Sequence, residues 1–188
     1  MHADDLEYAR EFDLRLKLLG VAERVEDGIS LSVKPTFVPL SHPLASISGS
    51  MNAITIEGEA FRMLTFSGPG AGGLETASAI LADIVSVMRS EHQSIPVVST
   101  LPIKDVNHAF YLHLEISDHS GVLAAVSTAL ATEGISIRSV LQRGLGETAR
   151  LIIILHPVSR QRLVSALEAL QDFKNLHGAV RTIRVLQD

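Results

Sequence analysis

The spacing of apolar and polar positions divides the chain into short, regular segments. Residues 3–12 read as a short helix, or the end of a longer one. Leu14, Leu16 and Leu18 then alternate with Arg15, Lys17 and Leu19, the period of a half-buried strand. Ile29, Leu31 and Val33 alternate with Ser30, Ser32 and Lys34 after the turn signal Asp27-Gly28, which predicts an antiparallel hairpin. A loop-like stretch rich in Pro and Ser follows at 35–49, then two strands at 53–59 and 61–66. Ala77, Ile80, Leu81, Ile84, Val85 and Met88 fall on one helical face.

The C-terminal half repeats strand and helix periods in a fixed order. Residues 109–116 alternate, with Phe110, Leu112 and Leu114 on one face. Val122, Leu123, Val126, Ala129 and Leu130 mark a helix that Gly134 ends. Residues 135–141 and 149–156 are β-branched and apolar, separated by a turn at Gly144–Gly146. Leu163, Ala166, Leu167 and Leu170 give a second helix, and residues 180–186 a last strand. The order β-α-β-β-α-β is that of a ferredoxin-like split unit, and right-handed crossovers would place both helices on one face of a four-stranded antiparallel sheet. Between the halves, SEHQSIPVVSTLPIKDVN has two prolines and no sustained period, so it reads as a linker. The expected organisation is α+β: residues 1–90, a linker at 91–107, and residues 108–188.

Composition narrows the chemistry. Hydrophobic residues make up 46% of the 188, while two Tyr, six Phe and no Trp require a largely aliphatic core. The acidic excess behind the net charge of −5 lies entirely in residues 1–90, and residues 91–188 are balanced. Neither half carries the basic stripe that binding to a phosphate backbone needs, so nucleic acid is not an expected partner. No apolar run approaches the ~20 residues of a membrane span, and a membrane is not expected either. The absence of cysteine removes disulfides and thiolate sites and makes the cytoplasm the expected location. The eight His include no H-x-x-x-H pair, and no metal site is expected.

Two stretches carry a family resemblance. VKPTFVPLSHPLASISGSMNAITIEGEA and LTFSGPGAGGLETASAILADIVSVMRS, preceded by YAREFDLRLKLLGVAE, are similar to the end of the catalytic domain of bacterial homoserine dehydrogenases. HLEISDHSGVLAAVSTALATEGISIRSVLQ resembles an ACT domain, through its D-x-x-G-V-L turn and G-I-S-I strand. The resemblance implies residues 1–90 as part of a substrate and dimerisation domain and 108–188 as a regulatory ACT domain. Full-length members interconvert aspartate semialdehyde and homoserine with NAD(P), on the route to threonine and methionine. Their Rossmann domain, acidic substrate ligands and catalytic lysine have no counterpart here, so this chain is expected to be inactive alone. A homo-oligomer, at least a dimer, and L-threonine as effector are the implied partners. The alternative is a non-enzymatic amino-acid-binding dimer.

Gly68-Pro-Gly-Ala-Gly-Gly73 matches G-x-G-x-x-G, but no second parallel strand ending in an acid follows, so it does not read as a pyrophosphate cradle. The resemblance instead places Gly72 against the nicotinamide end of the cofactor; its plainer role is a strand-to-helix turn, with Glu75 and Thr76 serving the helix N-terminus. Ser41-His42-Pro43-Leu44 is expected to be structural, Lys17 to face solvent, and Glu57 and Glu59 to share one solvated strand face. Asp118 is expected to cap the second-half helix. The free N–H groups of Gly121, Val122 and Leu123 would offer a place for an amino acid's carboxylate, which the ACT resemblance also implies.

Overall fold

The computed structural model describes residues 2–25, 28–89 and 106–187. Helix α1 (Ala3–Glu11) leads into strands β1 (Leu14–Val25) and β2 (Gly28–Pro39), followed by a 3-10 turn (Pro43–Ser46). Strands β3 (Met51–Gly58) and β4 (Arg62–Pro69) and helix α2 (Gly73–Met88) complete the first half. The second half contains β5 (Ala109–Ser117), α3 (Val122–Thr132), β6 (Ile137–Gly144), β7 (Thr148–Leu155), α4 (Arg160–Gln171) and β8 (Arg181–Val185). Most of the expected linker, like Asp27 of the expected turn, lies outside the described residues.

The β-α-β-β-α-β order is realised, but its sheet is larger than four strands. Six strands run in the order β1-β2-β8-β5-β7-β6. The four C-terminal strands are antiparallel to their neighbours, whereas β2 joins β8 in parallel through Thr36↔Arg184 and Phe37↔Val185. The sheet is therefore mixed. Compact units accordingly divide at Pro39: described residues up to it pack with those from Val106 on, and Leu40 to Arg89 form a second unit. The boundary suggested by the linker marks a change in sequence pattern, and packing places α1 and the β1–β2 hairpin with the C-terminal sheet.

Each face of this sheet has its own core. Leu112, Leu114 and Ile116 of β5 and Leu151, Ile153 and Leu155 of β7 meet Val122, Val126 and Leu130 of α3 and Leu163, Ala166 and Leu170 of α4. The alternate residues point the other way, as a pleated strand dictates. Tyr111, Ile152, Ile154, Ile183 and Val185 pack there against Tyr8 and Ala9 of α1 and Phe37 of β2. A nine-residue helix is too short to persist in water by itself, so α1 depends on this docking. Burying a side chain such as Tyr8 (3% exposed) contributes about 1.5–3 kcal/mol.

Several local expectations need correction. The stretch from Pro35 to Pro39 is strand, not loop, because it pairs with β1 along its length and with β8 at Thr36 and Phe37. The two prolines, which lack an N–H, flank that short parallel pairing. On β1, Leu14 is buried but Leu18 is 72% exposed. Lys17 is half-buried rather than solvent-facing; lost hydration and the neighbouring Arg15 charge hold its ammonium below the usual 10.5. Glu59 does not share a strand face with Glu57, since β3 ends at Gly58 and a turn closed by Phe61 N–H donating to Gly58 O takes its place.

In the second unit, β3 and β4 form a two-stranded antiparallel ribbon. Its register partners Ile54 and Phe66 are 67% and 62% exposed. The apolar face expected for α2 is present, with Leu81 62% exposed and no residue of the helix buried in this chain.

Candidate functional site

The turn from β5 into α3 is open to solvent from Asp118 to Gly121. Gly121 is the residue that starts the helix, at φ 90, a left-handed conformation that glycine adopts without a Cβ penalty. The amides of Gly121, Val122 and Leu123 lie at the helix start, where no preceding turn supplies carbonyls. Val122 N–H makes only a long 3.5 Å contact to His119 O. Val122 is buried and anchors the turn, while Leu123 is 36% exposed at its rim.

Asp118 does not cap α3. Its side chain reaches across to β6, where Oδ1 accepts from Gln142 Nε2 at 3.1 Å, and its own N–H donates to Glu147 O. A Cβ at Gly144 would stand 2.8 Å from Asp118 Oδ2, so the carboxylate occupies the space that glycine leaves open. The other rim is polar: His119 Nε2 lies 3.1 Å from Asn175 Oδ1, and Ser117 Oγ 3.0 Å from His177 Nε2. The sequence reading missed Gln142, Gly144, Asn175 and His177. Gln142 and Gly144 lie on β6 and Asn175 and His177 in the segment after α4, and only strand pairing and the Ile116–Leu176 bridge bring them to the turn.

Gly72 starts α2 at φ 150, ψ 152, a region open essentially to glycine alone. Thr76 Oγ1 and N–H both donate to Gly72 O, at 2.7 and 3.1 Å, and a Cβ at position 72 would stand 2.0 Å from Glu75 Oε2. Glu75 stands in the first turn of α2 and Thr76 ties back to Gly72 O, but neither side chain caps a free N–H of the helix start. The backbone of Gly72 is also exposed and unobstructed by a side chain of its own. Because β4 pairs antiparallel with β3, the glycine-rich loop lacks the parallel-strand setting of a pyrophosphate cradle. His42 is 3% exposed, with Nδ1 accepting from Leu44 N–H at 3.2 Å and Nε2 standing 3.9 Å from Glu57 Oε1.

A second constellation lies on the back of the six-stranded sheet and was not foreseen. Asp5 of α1 is fully enclosed: Oδ2 accepts from His2 N–H at 2.8 Å, and Oδ1 lies 2.7 Å from His113 Nδ1 and 3.1 Å from Arg181 Nε. Burial alone would raise the Asp5 pKa; the His2 N–H, His113 and Arg181 outweigh it and hold the carboxyl below 3.8. Burial lowers the His113 pKa, reinforced by Arg181 and opposed by Asp5. His113 Nδ1 lies 2.7 Å from Asp5 Oδ1, and Arg181 Nη2 stands against the ring, 2.6 Å from Nδ1 and 3.0 Å from Nε2. Asp4, Asp5 and His113 have the donor types of a metal site, but the Arg181 guanidinium already supplies their positive charge, within 3.3 Å of Asp4 Oδ2.

Comparison with known proteins fits this geometry. Residues 1–85 match the homoserine dehydrogenase family and residues 111–175 the ACT domain family. The homoserine dehydrogenase of Pseudomonas aeruginosa is 36% identical over 97% of this chain, and that of Corynebacterium glutamicum 36% over 97%. A crystal structure of the Thiobacillus denitrificans homoserine dehydrogenase superposes on 98% of the chain, with a TM-score of 0.85 and 32% identity. The chain corresponds to the C-terminal portion of homoserine dehydrogenases, an amino-acid-biosynthesis enzyme family. It combines part of the catalytic domain with an ACT domain and spans 46% of the Pseudomonas and 44% of the Corynebacterium relative. Staphylococcus aureus homoserine dehydrogenase, at 21% identity and a TM-score of 0.62, shares the fold. No helix among the described residues is long and apolar enough to cross a membrane.

Proposed function

We propose that this chain is the subunit-pairing and effector-sensing portion of an NAD(P)-dependent homoserine dehydrogenase, with L-threonine as the effector. The observation that carries the sensing role is the open β5–α3 turn. It sets helix-terminal amides, suited to an amino acid's carboxylate, near the Asp118 carboxylate, suited to its ammonium group. The rest of the ligand would meet the polar rim of His119 and Asn175.

The pairing role draws on the second unit. Ile54, Ile56, Leu64 and Phe66 share one ribbon face and are all exposed, and Ile80, Leu81 and Ile84 of α2 are exposed as well. Apolar side chains exposed together on one face mark protein–protein contact. The reading therefore covers them by homo-oligomerisation and by the rest of the enzyme.

The part this chain plays in hydride transfer is limited. Bound nicotinamide supplies the hydride chemistry, and the exposed backbone of Gly72 would touch its edge once the Glu75 carboxylate, which fills the space beside it, moves aside. The chain alone is expected to reduce no aspartate semialdehyde.

Calorimetric titration of the 188-residue chain with L-threonine tests the sensing role, with D-threonine, L-homoserine and L-methionine as controls. Stereospecific binding that is lost in Asp118→Ala supports it. Absence of heat with every amino acid overturns it and leaves the ACT domain as an assembly module.

A further inference from the structure

The back face of the C-terminal sheet carries one basic residue from each of its four strands: His113 on β5, Arg143 on β6, Arg150 on β7 and Arg181 on β8. All four meet the same short helix. Asp5 takes His113 and Arg181; Asp4 takes Arg181 at 3.3 Å and Arg150 at 3.6 Å; Glu11 accepts from Arg143. Between these acids the Tyr8 ring lies 5.4 Å from the Arg143 guanidinium and 6.0 Å from that of Arg150. Hydrophobic packing by Tyr8 and Ala9 could have held α1 against any apolar sheet. An acid–base pairing to every strand ties its position to the arrangement of the strands themselves.

One of these strands also reaches the candidate effector turn. Gln142 and Arg143 are consecutive on β6, so their side chains leave opposite faces of the sheet. Gln142 donates to Asp118 on the front; Arg143 donates to Glu11 on the back. The Asp118 carboxylate and α1 are thus joined through a single residue step at the end of β6. Among the described residues this strand lies at the edge of the six-stranded sheet and pairs with β7 alone. Its end can shift without disturbing a second ladder.

We propose that α1 is a latch whose grip on the sheet is set by occupancy of the Asp118 turn, through Gln142 and Arg143. This rests on the sensing role proposed above. An amino acid's ammonium group competes with Gln142 for Asp118, the end of β6 shifts, and Arg143 loosens its hold on Glu11. α1 belongs to the stretch that matches the dehydrogenase family and β6 to the stretch that matches the ACT family, so the latch joins the two. Linkage makes the effect reciprocal: a latch that opposes the ligand must weaken its binding, and removing the latch must strengthen it.

The test uses the 188-residue chain and its Arg143→Gln and Gln142→Ala variants. Amide hydrogen exchange across α1 is followed by mass spectrometry, with and without saturating L-threonine, and affinity by calorimetry. Tyrosine fluorescence gives a second readout, since the chain has two Tyr and no Trp and both, Tyr8 and Tyr111, lie at this interface. The expected result is that threonine accelerates exchange in α1. R143Q should exchange fast without ligand and bind threonine about fivefold more tightly, the low end of ordinary allosteric coupling. Q142A should bind threonine but show a reduced exchange response. Threonine binding with unchanged α1 exchange and unchanged affinity in R143Q would overturn the latch while leaving the sensor intact. Failure of the parent chain to bind threonine would overturn both.

Discussion

Asp5 and His113 are 108 residues apart in sequence, yet their side chains are fully buried together, with 2.7 Å between Oδ1 and Nδ1. This pair fixes the N-terminal helix to the middle strand of the C-terminal unit. It is surrounded by Asp4 and Tyr8 from the same helix, Tyr111 from β5 and Arg181 from β8.

The pair makes stability depend on pH in a defined direction. His113 is held below its ordinary 6.5 in the folded chain, so the unfolded chain takes up that proton first as pH falls. Its contribution is complete above 6.5 and is lost as pH drops through the window beneath, because the unfolded state then binds more protons. Asp5, lowered from 3.8, keeps its contribution until the pH is more acidic still. Thermal melts at successive pH values should show Tm falling below pH 6.5, with a shallower slope in His113→Gln. Equal slopes would remove His113 from the account.

Removing the carboxylate should be costly. Asp5→Ala leaves His113 without its carboxylate partner and Arg181 with Asp4 alone, and breaking a buried ion pair from one side typically costs about 3–5 kcal/mol. Part of the Arg181 head is exposed, so the lower end, about 3 kcal/mol, is expected in urea unfolding. A loss below about 1 kcal/mol, the scale of a surface pair, would show that the pair is solvated in solution.

Gly144 should be intolerant of a side chain for a reason outside its own strand. In Gly144→Ala the new methyl would stand 2.8 Å from Asp118 Oδ2 and push the carboxylate from its place beside Gln142. L-threonine affinity should fall about tenfold, equivalent to ~1.4 kcal/mol, with the melting temperature little changed. An unaltered affinity in calorimetry would place the ligand away from Asp118.

Gly121→Ala should act through the backbone instead. Nothing lies within 4 Å of the added Cβ, but φ 90 is a left-handed conformation that costs an L residue about 1–2 kcal/mol. Denaturant unfolding should show that loss, and L-threonine affinity should fall with it. Wild-type stability in the variant would mean that the turn adopts another conformation.

At Gly72 conformation and contact act together. Gly72→Ala meets both φ 150 and the Glu75 carboxylate, so the start of α2 must rearrange. In the full-length enzyme the expected outcome is a KM for NAD(P)H raised about tenfold, with subunit assembly retained, the scale of ~1.4 kcal/mol. An unchanged KM together with a lowered Tm would assign Gly72 to the turn alone.

Much of this was legible from residues in a row. Alternation at Phe110, Leu112 and Leu114 and the helical spacing of Val122, Val126 and Leu130 report local geometry, and the core they predict is the one observed. The D-x-x-G-V-L turn was legible as a helix start because Gly121 and Val122 adjoin it. The partner of Asp118 was not, since Gln142 reaches it only once β6 has paired with β7. Pro35 and Pro39 argued for a loop, and pairing with β1 and β8 outweighed them.

The sequence by itself determined the element order, the ferredoxin-like unit and the turn that starts the helix at Gly121. Each depends on periods and turn chemistry spanning a few residues, which short-range sterics and hydration enforce. Tertiary structure alone decided that α1 and the β1–β2 hairpin belong with the C-terminal sheet, and that Asp5, His113 and Arg181 form one buried group. An acid in a surface-like helix and a histidine in a strand carry no mark of each other in the sequence. Their pairing follows from which faces are left to bury once the strands have found their order, a property of the whole chain.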